Sequence, residues 1–99
     1  MIVSEPIVAR RYVVTGRVQG VGYRNFVEHL AGKLEIDGFV RNRRDGSVEV
    51  LAMGTAEKLH ALRRGLEKGP RMARVSGVSE EPSAMESRYA GNFTVEFTE

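Results

Sequence analysis

The nine-residue run Gly16-Arg17-Val18-Gln19-Gly20-Val21-Gly22-Tyr23-Arg24 most constrains the fold, because it joins a strand-like segment to a helix-like segment through a glycine-rich bend. Glycines allow successive backbone N–H groups to converge on one point, and the helix start adds unpaired N–H groups and the positive end of its dipole. Arg24 follows at the second position of the helix, with a planar guanidinium suited to phosphate oxygens. The run therefore predicts an anion cradle and an arginine that act on one ligand.

Two better-known phosphate loops do not fit this run. No Lys-Ser or Lys-Thr pair closes it, as a nucleotide-binding P-loop requires. Gly20-Val21-Gly22 is followed by Tyr23-Arg24-Asn25, so the third glycine of a dinucleotide fingerprint is missing. Loop chemistry by itself leaves two readings open, a phosphate site and a tight strand-to-helix turn that only needs glycine.

Composition indicates a small single domain with an anionic ligand. The chain has 99 residues, enough for one modest core. It has no cysteine and two histidines, which excludes disulfides and thiol chemistry and disfavours a zinc site. Twelve arginines against three lysines and a net charge of +2 suit an anion, whereas acidic residues spread along the chain argue against nucleic acid. We see no signal peptide or membrane span, so we expect a cytoplasmic protein.

Hydrophobic periodicity predicts the order of the elements. Alternation from residue 10 to 18 predicts a strand, and apolar residues from Tyr23 to Leu34 recur at helical spacing. Asp45-Gly46 is typical of a hairpin turn, Thr55 of a helix N-cap, and Gly69-Pro70 of a helix end. The remaining expectations are a tail over residues 1–9, strands over 38–42, 47–53, 73–80 and 93–97, and an irregular loop over 81–92.

This order predicts an α+β, ferredoxin-like βαββαβ sandwich, with an antiparallel sheet, two helices on one face and a short extra strand. In such a fold the first helix makes a right-handed crossover, so the first two strands are parallel and their carboxyl ends lie at one edge. Asn42, at the end of the second strand, is therefore expected beside the glycine loop.

Two separate stretches of the chain resemble the acylphosphatase family of small phosphohydrolases. The first runs from Val14 to Arg24, and the second is Gly38-Phe39-Val40-Arg41-Asn42, followed by further glycines at the family's spacing. The resemblance covers residues 10–97, which defines residues 10–99 as the expected domain. It implies hydrolysis of the carboxyl–phosphate bond of acyl phosphates, with Arg24 binding the phosphoryl group and Asn42 positioning the attacking water. It also implies that backbone N–H groups of the loop bind the remaining oxygens; these belong to Gln19, Gly20, Val21, Gly22 and Tyr23.

The chemistry of this reaction explains why so few residues would suffice. The leaving group is a carboxylate whose conjugate acid has a pKa of about 4, so no general acid is needed. We therefore expect that the reaction needs no metal and no cofactor. We also expect inorganic phosphate to be both the product and a competitive inhibitor, and the protein to be a monomer. His29 and His60 lie in the two expected helices, off the loop, and are interpreted as surface or helix-flank residues.

Two other functions share this fold. One is a non-catalytic phosphate-binding module, and the presence of both Arg24 and Asn42 argues against it. The other is an RNA-binding sheet, which needs exposed aromatic residues on its central strands and a basic, aromatic consensus that is absent here. The family usually has glycine where this chain has Glu35, so we expect either a left-handed Glu35 costing about 1 kcal/mol or a helix that ends nearer Asp37-Gly38.

Overall fold

The computed structural model describes residues 5–98, and within them the predicted βαββαβ order with an added strand is confirmed. The elements are, in chain order, β1 (Ile7–Arg17), α1 (Tyr23–Leu34), β2 (Asp37–Asn42), β3 (Val48–Thr55), α2 (Ala56–Lys68), β4 (Arg74–Pro82) and β5 (Phe93–Glu96). A short 3-10 turn, Ser87–Tyr89, interrupts the loop before β5. The loop expected from residue 81 thus starts two residues later, because Glu81 and Pro82 still pair with β1.

The five strands form one sheet in the order β4-β1-β3-β2-β5. β3 pairs antiparallel with both β1 and β2, so β1 and β2 run in the same direction and end at the same edge. The sheet is antiparallel except at one edge, where β5 pairs parallel with β2. The crossover argument for Asn42 therefore agrees with the topology.

β1 begins at Ile7, three residues before the strand that the alternation predicts. Val8 pairs with Gly54 and Ala9 with Met53, and Ala9 is only 4% exposed. These residues belong to the strand because β3 extends to Thr55 and offers a backbone partner that the local pattern does not reveal. Of the tail expected over residues 1–9, residues 1–4 lie outside the described part of the chain.

Both helices pack on one face of the sheet and enclose the main core. Tyr23, Val27 and Ala31 are the buried residues of α1, as the helical spacing predicts. The side chains of α2 that meet them are Leu59, Leu62 and Leu66. The sheet contributes even-numbered residues such as Tyr12, Val40 and Val50, because alternate residues of a strand point to the same face.

The ends of the helices follow local chemistry. The Thr55 hydroxyl accepts a hydrogen bond from the Lys58 N–H at 3.3 Å, and Gly69 closes α2 with φ 67°. Glu35 ends α1 with φ 56° and ψ 47°, while the next N–H, of Ile36, donates to the Ala31 carbonyl at 2.9 Å. The left-handed alternative is therefore confirmed for Glu35. It is the single non-glycine residue with positive φ in residues 5–98.

The opposite face of the sheet carries an ionic cluster and a small apolar cluster. Glu49, 4% exposed, accepts hydrogen bonds from Arg11 Nε and from Arg41 Nε, the latter at 2.7 Å. Burial by itself would raise the pKa of Glu49, but the hydrogen bonds from both arginines outweigh it and lower the pKa. Phe39 is 5% exposed beneath Tyr89, with ring centroids 5.2 Å apart.

Candidate active site

The glycine loop between β1 and α1 carries a run of backbone N–H groups that have no partner among the described residues. Gly20 and Gly22 have φ values of 73° and 77°, which turn the chain sharply and are accessible to glycine at little cost. Within residues 5–98, no backbone N–H from Gln19 to Arg24 has a hydrogen-bond acceptor. The first N–H of the helix with a partner is that of Phe26, which donates to Gly22 O at 3.1 Å. Six successive N–H groups of the loop and the helix start therefore have no partner within residues 5–98.

The N-terminus of α1 adds to this preference for an anion. Its N-cap is Gly22, which has no side chain that could satisfy the first N–H groups of the helix. No acidic residue lies in the first turn to offset the positive end of the helix dipole. An unsatisfied helix N-terminus of this kind binds phosphate oxygens well.

Arg24 extends from the first turn of α1 towards β5. Its Nη1 donates to the carbonyl oxygen of Glu96 at 3.0 Å. In the described part of the chain Arg24 has no carboxylate within ion-pair distance. The guanidinium is thus anchored by a neutral acceptor, and no carboxylate of the described residues neutralises its charge.

Asn42 reaches the same place from the end of β2. It lies two residues after Val40, whose side chain is in the main core, so both side chains point to the helix face of the sheet. The Asn42 amide has no hydrogen-bond partner elsewhere in residues 5–98. Arg24 and Asn42 line one cleft of about 160 Å³, whose walls also include the loop glycines. The cleft is formed by Val18, Gly20, Gly22, Tyr23, Arg24, Asn25, Asn42 and Val95.

The side chains of Gln19, Val21 and Tyr23 have partners outside the loop. The Tyr23 ring is 1% exposed, and its hydroxyl donates to the Leu66 carbonyl at 2.7 Å. Burial raises the pKa of Tyr23 well above its usual value. Val21 packs against the main core, and the Gln19 amide donates to Arg43 and Ser47 carbonyls.

Sequence reasoning missed Val18, Asn25 and Val95 as walls of the cleft. Asn25 follows Arg24 directly, and Val18 precedes the loop, so proximity in sequence was an available signal. Val95 had none, because its position depends on β5 pairing with β2 in register with Val40. His29 and His60 are exposed and do not line the cleft.

Fold and cleft together define a ferredoxin-like domain with a glycine loop, an arginine and an asparagine at one edge of its sheet. The sequence matches the family model for acylphosphatase over residues 10–95. A curated acylphosphatase of Koribacter versatilis is 56% identical over 89 residues, or 90% of this chain and 80% of the relative. The chain therefore belongs to the acylphosphatase family.

Solved structures agree with this assignment. The crystal structure of acylphosphatase from Bacillus subtilis superposes with a TM-score of 0.84 at 35% identity, covering 90% of this chain and 98% of the other. The structure of an acylphosphatase from Coxiella burnetii has a TM-score of 0.85 at 34% identity, covering 91% and 93%.

Proposed function

We propose that this protein hydrolyses acyl phosphates to a carboxylate and inorganic phosphate. The observation that carries the proposal is one small cleft lined by Arg24, Asn42 and the glycine loop, whose backbone N–H groups from Gln19 to Arg24 have no partner within residues 5–98. Family membership supports the same reaction. The roles of the individual residues follow from their chemistry.

The phosphoryl group is held by the loop and by Arg24. Backbone N–H groups from Gln19 to Tyr23 donate to its oxygens, and Arg24 supplies a permanent charge and a two-pronged contact. As charge redistributes over the phosphoryl oxygens in the transition state, these fixed donors need no rearrangement. Inorganic phosphate carries the same oxygens, and we expect it to bind as a competitive inhibitor.

Asn42 orients the attacking water in line with the bond that breaks. An amide has both a donor and an acceptor, so it can hold a water molecule, but it cannot act as a general base at neutral pH. The departing carboxylate needs no proton donor, because its conjugate acid has a pKa of about 4. We therefore propose a reaction without metal or cofactor, driven by positioning and charge stabilisation.

The open face of the sheet gives little support to the RNA-binding alternative. Phe39 is buried beneath Tyr89, and the centre of this face is the Glu49 carboxylate between two arginines. A base needs an exposed aromatic ring on which to stack. The presence of both Arg24 and Asn42 in one cleft likewise favours catalysis over a module that only binds phosphate.

Three properties complete the proposal: the protein acts as a monomer, in the cytoplasm, and without nucleic-acid or membrane partners. No helix within residues 5–98 is long and apolar enough to cross a membrane. The residues that line the small cleft, including Arg24 and Asn42, come from one chain. Analytical ultracentrifugation of the active protein with its substrate would test the oligomeric state, and we expect the mass of one chain.

The deciding experiment compares two classes of substrate with and without EDTA. Acetyl and benzoyl phosphate should be hydrolysed rapidly and equally well in EDTA. A simple alkyl phosphate should bind without appreciable turnover, because its alkoxide leaving group needs an acid or a metal. Efficient cleavage of the alkyl phosphate, or loss of acyl phosphate hydrolysis in EDTA, would contradict the proposal.

A further inference from the structure

The side chain of Gln19 bridges the glycine loop and the hairpin between β2 and β3. Its Nε2 donates to the carbonyl oxygens of Arg43 and Ser47, both at 2.8 Å. An amide nitrogen has two hydrogens, so these contacts use its full donor capacity. The Arg43 N–H also donates to Ser47 O at 2.9 Å, so Gln19 binds both ends of one closed turn.

This bridge joins the two halves of the candidate active site. Gln19 lies in the glycine loop, where its own N–H has no partner within residues 5–98, and Arg43 follows Asn42 directly in the chain. The Asn42 side chain has no hydrogen bond to hold it among the described residues. Its place therefore depends on where the end of β2 lies relative to the loop, and the ladder with β3 ends at the Asn42–Val48 pair.

The reaction proposed above depends on that spacing. The cradle and Arg24 place the phosphorus atom, whereas Asn42 places the water, and in-line attack requires both at once. A shift of the hairpin by about 1 Å would leave phosphate binding intact but misalign the water, which can cost about 10²-fold in rate.

We propose that Gln19 is a positioning residue whose side-chain amide sets the distance between the phosphate cradle and Asn42. This role rests on the proposed function and goes beyond a backbone contact to phosphate. In this proposal Gln19 has two separate roles. Its backbone N–H binds the phosphoryl group, and its side-chain amide aligns Asn42 with the loop. Loss of the amide should then affect turnover rather than phosphate affinity.

Two variants remove the bridge while keeping the backbone. Gln19→Met preserves the length of the side chain without its donors, and Gln19→Asn keeps the amide but is one methylene too short to reach both carbonyls. For each we expect kcat to fall about 10- to 100-fold, whereas the inhibition constant of inorganic phosphate changes less than about 3-fold. Gln19→Asn is the milder change, so kcat and the phosphate inhibition constant can be measured on it if Gln19→Met fails to fold.

Asp45→Ala is the matched control for weakening the same turn. Asp45 Oδ1 accepts from the Ser47 N–H at 2.9 Å and from the Ser47 hydroxyl, so its loss should weaken the turn while both donors of the Gln19 amide and both carbonyl acceptors remain in the chain. We expect Asp45→Ala to keep its kcat. If it lost kcat as severely as the Gln19 variants, general loosening of the hairpin would explain the effect and the specific role of Gln19 would be refuted.

A double-mutant cycle with Asn42→Ala tests directly whether the effect of Gln19 on kcat depends on Asn42. If Gln19 acts through Asn42, replacing it in the Asn42→Ala background should cost almost nothing further in kcat. An equal loss in both backgrounds, or an unchanged kcat in Gln19→Met and Gln19→Asn, would overturn the positioning role. Failure of the wild-type protein to hydrolyse acyl phosphates would instead overturn the proposed function, and the positioning role with it.

Discussion

Replacing Arg24 is the most direct test of how the cleft would stabilise the transferring phosphoryl group. Arg24→Lys keeps the charge but replaces a planar fork by a single ammonium group. That ammonium cannot make the contact to Glu96 O and also a two-pronged contact to phosphate in the same geometry. Arg24→Ala removes both the charge and the donors. We therefore expect both variants to be badly impaired.

The structure gives the size of the expected loss. Nη1 is committed to Glu96 O at 3.0 Å, which leaves Nη2 and the remaining N–H groups for phosphoryl oxygens. Two charge-assisted hydrogen bonds at about 1.5–3 kcal/mol each correspond to a rate loss on the order of 10²–10⁴. The free energy of unfolding should fall by no more than about 1 kcal/mol, because the anchoring bond to Glu96 is a single contact of a half-buried side chain.

The assay is release of phosphate from benzoyl phosphate, with urea titrations to show that each variant is folded. Arg64→Ala, an exposed arginine of α2, is the control and should keep its activity. Added guanidinium should partly restore Arg24→Ala, since a small cation can occupy the space between the cradle and Glu96. Near-native turnover by Arg24→Ala would remove this residue from the catalytic site and refute the reasoning.

Three further predictions concern the water, the end of α1 and the pH profile. Asn42→Ala should lower kcat strongly while phosphate still inhibits competitively; lost phosphate affinity with unchanged kcat would instead make Asn42 a binding residue. Glu35→Gly should raise the free energy of unfolding by a few tenths to about 1 kcal/mol. Glycine removes the backbone strain of a side chain at φ 56°, and its larger unfolded-state entropy offsets part of that gain. The matched variant Glu28→Gly, inside α1, should lower it by about 1 kcal/mol, and a loss in both urea titrations would show that Glu35 is not strained. Turnover should be nearly flat between about pH 5 and 8, because no histidine or carboxylate side chain lines the described cleft; a bell-shaped profile would reveal an acid or base.

Local sequence was enough to predict the order of the elements and the glycine turn, but not the first three residues of β1. The glycine run from Gly16 to Arg24 specifies its turn by backbone conformation, which glycine permits and few other residues do. The helical spacing after Tyr23, the Thr55 cap and the Gly69 stop act within a few residues. Strand order and crossover handedness then bring Asn42 to the loop without any knowledge of side-chain contacts.

Tertiary structure decided which side chains meet across the site. The Gln19 amide binds carbonyls 24 and 28 residues away, and Arg24 binds one 72 residues away. The hydrophobic periodicity of the sequence does not predict such contacts, because they depend on sheet register and on the strand with which β5 pairs. The same holds for Val95 beside the cleft, for Ile7–Ala9 in β1 and for Glu49 between its arginines. Sequence by itself thus determined the glycine turn, the helix that carries Arg24 and the topology that brings Asn42 near, since turns, helices and handedness are local properties. Only the folded chain decided the spacing and anchoring of these groups, since that depends on contacts between residues distant in sequence.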